Sequence, residues 1–114
     1  MSILRYDGEG LQVLVLLKGH PYDRNALFAM LESDPDIVVT GVEHPAAADY
    51  LDAGLAAPYD VLVFYDMPGV DLSSGYPPRL IDPPGRVRRG FEGLLEAGKG
   101  LVFLHHAIAA WPSW

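Results

Sequence analysis

Three stretches of this chain are apolar almost without interruption. "QVLVLLKG" (residues 12–19), "YDVLVFYD" (59–66) and "GLVFLHH" (100–106) each hold four or five consecutive aliphatic or aromatic residues. A strand with one wet face alternates apolar and polar residues, whereas a continuous run marks a strand covered on both faces, as in a parallel sheet. A weaker fourth strand is expected in "DIVVTGVE" (36–43), which is rich in β-branched residues.

Between these runs the period becomes helical. In "YDRNALFAMLES" (22–33), Leu27, Met30 and Leu31 fall on one face at i, i+3, i+4, with Asp23 placed to cap the first turn. "PAAADYLDAGL" (45–55) opens on proline and is alanine-rich, which predicts another helix. "GRVRRGFEGLLEAGK" (85–99) puts Val87, Phe91, Leu94 and Leu95 on a face, and Gly98 is the natural residue just past its end. Strands alternating with helices in this way predict an α/β fold, a doubly wound parallel sheet. Residues 67–84 interrupt the alternation. They hold five of the ten prolines and predict a long irregular loop, of the kind that is usually functional or mobile. The whole chain reads as one domain.

All four histidines follow predicted strands: His20 the first, His44 the second, His105 and His106 the fourth, while Asp66 closes the third. The carboxyl edge of an open parallel sheet is where ligands bind, next to the point at which strand order reverses. With strands about 4.8 Å apart and a sheet order 2-1-3-4, His44 stands three strands, roughly 14 Å, from His105. His20, Asp66, His105 and His106 occupy the central strands and form the candidate catalytic set, and His44, ahead of Pro45, is read as structural. Bland readings exist beside these: His20 as a loop residue before a helix, and Asp66 as a turn former that bonds its own backbone. Two adjacent imidazoles ending a greasy strand demand more, because each has two ring nitrogens to satisfy. The arginines at 86, 88 and 89 read as solvating a helix start, and the recurrent Tyr-Asp pairs carry no common motif.

Composition narrows the chemistry. A net charge of −7 repels phosphate backbones, so no nucleic-acid partner is expected. There is no cysteine, which excludes disulfides, thiolate metal sites and a cysteine nucleophile. Apolar runs of about five residues are far short of the roughly 20 that span a bilayer, and "MSILRYDGEG" does not resemble a signal peptide, so no membrane partner and a cytoplasmic location are expected. No GxGxxG, Walker A or HExxH pattern is present. Two or three imidazoles and an aspartate could hold a divalent metal such as zinc. Consecutive strand residues point to opposite faces, so His105 and His106 would share one ion only if the turn rotates them.

"VLVLLKGHPYDRNALFAML", "YDVLVFYDMPG" and "GKGLVFLHHAIAAWPSW" together resemble the ThuA-like (trehalose-utilisation) family, over nearly the whole chain from about Gln12 to Trp114. The resemblance implies a flavodoxin-like three-layer sandwich related to class I glutamine amidotransferases, and a role in bacterial sugar or disaccharide utilisation with a carbohydrate as ligand. In the amidotransferase fold the strand matching residues 100–104 ends in a sharp turn that presents a nucleophilic cysteine. Here His105 takes that position, with Ala107 as the small neighbour and Phe103 where a small residue is expected, which predicts a relaxed elbow. Without cysteine, amidotransferase chemistry is not available; a histidine there can serve as acid, base or metal ligand.

ThuA-like domains run to about twice this length, so the resemblance implies the N-terminal part of a domain, a truncated gene or fragment with about four strands. The last strand would then be an exposed hydrophobic edge, open to pairing in a homo-oligomer. Three functions remain: a sugar-modifying enzyme using His105, His106, His20 and Asp66; a non-catalytic module binding a carbohydrate or a partner; and an inactive fragment.

Overall fold

The structure, a computed structural model, describes residues 10–114. The N-terminal segment considered for a signal peptide, and the Tyr6-Asp7 pair, lie outside the described residues except for Gly10. A four-stranded parallel sheet forms the centre, built from β1 (Leu11–Lys18), β2 (Ile37–Glu43), β3 (Val61–Asp66) and β6 (Gly100–Phe103). Its order is β2-β1-β3-β6, as expected from the sequence, so strand order reverses between β1 and β3. Helix α1 (Arg24–Glu32) covers one face and helix α2 (Gly85–Glu96) the other. This is an α/β fold, a flavodoxin-like sandwich with four strands in its sheet.

The continuous apolar run of β1 serves both faces. Leu14 and Leu16 pack with Leu62, Phe64, Val87 and Leu94 on the α2 side. Val13, Val15 and Leu17 pack with Val63, Leu27, Phe28 and Leu31 on the α1 side. All five β1 residues are buried. Removing a side chain of this size from water contributes about 1.5–3 kcal/mol, so the central strand is the main anchor of the sheet.

Helix α1 begins as the sequence predicts, with the Asp23 carboxylate accepting from the Ala26 amide at 3.0 Å. Its inward face differs by one position. Phe28 packs on the sheet and Met30 is exposed, because Gly41 on β2 leaves room that the Phe28 ring fills. Helix α2 stops at Ala97, and Gly98 follows at φ +72°, the left-handed conformation that lets a helix end. Val87 and Leu94 are buried and Phe91 packs on the core, but Leu95, expected on the same face, is exposed.

The helix expected over residues 45–55 is only a 3-10 turn, Ala46–Tyr50. Asp52 ends it: its side chain accepts from the amides of Gly54 and Leu55, and its carbonyl accepts from Ala56, so the backbone is diverted into turns. The expected irregular loop 67–84 contains a small antiparallel pair, β4 (Val70–Asp71) with β5 (Arg79–Leu80). It is tied down where the Gly69 amide donates to Ala110 and the Ile81 amide donates to Gly69. The last strand is shorter than expected. β6 ends at Phe103, and a 3-10 turn, His105–Ala109, carries both histidines. Among the described residues, no helix is long and apolar enough to cross a membrane.

Candidate functional site

The carboxyl edge of the sheet carries every described histidine, but it divides them into two groups. Successive strand residues point to opposite faces, and at the end of β3 this sends Tyr65 and Asp66 apart. Tyr65 meets His20 on the α1 side, and Asp66 meets His44 on the other.

The first group is built on two tight turns. β1 ends with Lys18 at φ +91° and Gly19 at φ +110°, and the Lys18 carbonyl accepts from the Met67 amide at 2.9 Å. This binds the end of β1 to the end of β3. A Cβ on Gly19 would strike the Met67 backbone, so glycine is required by close approach as well as by φ. After β6, the Leu104 amide still donates to the Phe64 carbonyl, and then His105 enters the left-handed region at φ +53°. A non-glycine residue there is strained and must be held by its surroundings. The relaxed elbow expected from Phe103 is therefore not what forms; the turn is sharp.

That turn rotates the two final histidines together. Their Nδ1 atoms are 2.7 Å apart, with ring centroids at 3.9 Å. One Nδ1 must donate and the other accept, so when both rings are neutral they hold different tautomers. The His106 ring lies 5.1 Å from that of His20, which in turn packs edge-on against Tyr65 at 4.8 Å. His20 Nδ1 donates to the Pro21 carbonyl at 3.1 Å, since a carbonyl can only accept. In the neutral ring this leaves the lone pair on Nε2, which is buried and has no partner among the described residues. Desolvation, then the His105 and His20 rings, lower the pKa of His106. Burial, and then Glu43, whose carboxylate accepts from the Tyr22 hydroxyl at 3.3 Å, raise that of Tyr22. The cluster thus favours a neutral imidazole at His106 and a protonated phenol at Tyr22.

The second group is a pair. His44 Nε2 and Asp66 Oδ2 are 2.6 Å apart, and both side chains are largely buried. Strand spacing alone set His44 outside the site, but its side chain crosses the end of β1, where Lys18 turns away, and reaches Asp66 two strands over. Asp66 is 3% exposed and, among the described residues, its Oδ1 has no hydrogen-bond partner.

Of the sequence-predicted residues, the structure brings His20, His105 and His106 together, and gives Asp66 to His44 instead. Two tyrosines that sequence reasoning passed over, Tyr22 and Tyr65, pack around His20. The signal was there: one lies two residues after His20 and the other on the matching face of β3. Among the described residues, no three His, Asp or Glu side chains are placed to hold a metal ion.

The fold and this edge define a class, an α/β domain of the flavodoxin-like kind with a histidine cluster at its topological switch point. The chain matches no family model, no curated protein and no solved structure.

Proposed function

We propose that the switch-point cluster moves a proton on a small polyhydroxy substrate, and that the protein is a ThuA-like carbohydrate-utilisation protein. One observation carries the catalytic reading. His20 holds an unpartnered, buried Nε2 in a ring fixed by Pro21, Tyr65 and His106. A fixed imidazole with a free lone pair can serve as a general base for a substrate that displaces the side chains covering it, and positioned acid–base groups contribute about 10²–10⁴-fold to rate. The His105–His106 pair, at the rim and exposed, is the neighbouring group that exchanges protons with solvent. The carbohydrate is supported by the resemblance of the three segments named above. A cytoplasmic setting belongs to the same proposal and is supported by a sequence without disulfides.

The test is incubation of the protein in D2O with a panel of aldoses, ketoses and disaccharides, followed by NMR. Protein-dependent C–H exchange or product formation is expected, lost in His20→Ala and in His105→Ala while the circular dichroism is unchanged. No exchange and no product across the panel would sink the enzyme reading; saturable sugar binding without turnover would make the domain a binding module instead.

A further inference from the structure

A cavity of about 290 Å³ lies on the α2 side of the sheet, on the opposite face from the His20 cluster. Its wall is aromatic. The Phe64 ring stacks between Phe91 at 5.3 Å and Phe103 at 4.6 Å, and Trp114 lies 5.6 Å from Phe91, with Trp111 beside them. The other lining residues are apolar, with a single exception, Asp66.

Asp66 is what turns an apolar hollow into a site. His44 holds Oδ2, while Oδ1 is buried and has no donor among the described residues. A carboxylate oxygen in an apolar wall is destabilising until something donates to it, and a cation does so best. The volume sits at the small end of ligand pockets, which suits one ring. A monosaccharide is a poor match, because its several hydroxyls would face aromatic carbon and find one carboxylate.

We propose that this cavity binds a single-ring amine, its ring lying against the aromatic wall and its ammonium donating to Asp66 Oδ1. The net charge of −7 favours a cation over an anion on approach. The site is independent of the proton-transfer reading, since neither His20, His105 nor His106 lines it.

Both tryptophans of the chain line the cavity and none of its six tyrosines does, so tryptophan fluorescence, excited at the red edge where tyrosine does not absorb, reports on this site. The experiment is a fluorescence titration of the full chain, confirmed by calorimetry, with benzylamine and with benzoate as the reversed-charge probe. Saturable binding of benzylamine is expected, with benzoate at least about tenfold weaker. Asp66→Asn should weaken benzylamine by about 10- to 100-fold, the factor for losing a charge-assisted bond. Should that variant fail to fold, Trp114→Ala, at a half-exposed position, should weaken the amine at least severalfold. Equal affinity for benzylamine and benzoate would overturn the proposal. So would the absence of saturation up to about 100 mM, several times the Kd of roughly 17 mM that even an inefficient ligand with about eight heavy atoms reaches at about −0.3 kcal/mol per atom, or unchanged affinity in both variants.

Discussion

Replacing His44 by alanine tests whether the His44–Asp66 pair is a desolvated bond that the fold depends on. In the native protein the two side chains are 12% and 4% exposed and 2.6 Å apart. Asp66 Oδ1 already lacks a partner, so His44→Ala leaves the whole carboxyl group buried with no donor at all. Breaking one side of a buried pair costs about 3–5 kcal/mol, much more than the 0–1 kcal/mol of an exposed one. Against a total stability of about 5–15 kcal/mol this is a large fraction. In a domain of about 100 residues each kcal/mol moves Tm by about 4–8 °C, so a fall of at least about 12 °C is expected. Urea denaturation of the wild type, His44→Ala, Asp66→Leu and the double variant gives the coupling directly. The double variant should recover a good part of the loss, because an apolar pair in an apolar setting has no desolvation to overcome. A loss under about 1 kcal/mol in His44→Ala, with additive singles, would refute the reasoning: it would mean that water reaches Asp66 and that the pair is no stronger than an exposed one.

Two glycines of α2 should respond in opposite directions to alanine. A methyl group on Gly93 would meet open space, so Gly93→Ala should stabilise by about 0.5–1 kcal/mol through helix propensity, whereas Gly90→Ala would drive its Cβ into the Leu51 carbonyl and should lose about 1–3 kcal/mol or more; thermal denaturation reads both. The lowered pKa of His106 means that the unfolded chain, with the ordinary value of 6.5, takes up the proton first as pH falls. Stability should therefore decline from about pH 6.5 downward to the folded pKa, and His106→Gln should flatten that part of a urea-midpoint-against-pH profile. At the edge of the sheet, Val102 and Phe103 are more than two-fifths exposed and β6 carries no charged residue. Self-association that rises with concentration is expected by analytical ultracentrifugation, and Val102→Lys should suppress it; a monomer at all concentrations in the wild type would remove this edge as a pairing surface.

Much of this fold is legible in the sequence, because the information is local. A continuous run such as Val13–Leu17, short and bounded by Gly19, reads as a strand covered on both faces, and the alternation with helical periods then leaves few arrangements of four parallel strands. Asp23 and Gly98 mark helix ends through their own chemistry. The placement of all four histidines at the carboxyl edge follows from the same local reading. What the local pattern misses lies where a distant or side-chain contact decides. Asp52 diverts an alanine-rich stretch that propensity alone makes a helix. Gly41 admits Phe28 and so turns Met30 outward. The grouping of the site residues is of this kind too. Strand spacing measures backbone separation, but His44 reaches Asp66 by a side chain that crosses the end of β1. The turn at His105 swings two residues that would diverge on a strand into contact, and pleating sends Tyr65 and Asp66 to opposite faces. Sequence determined which residues stand at the edge of the sheet; tertiary structure decided which of them touch, because contact depends on side-chain direction and on backbone dihedrals that distant hydrogen bonds impose.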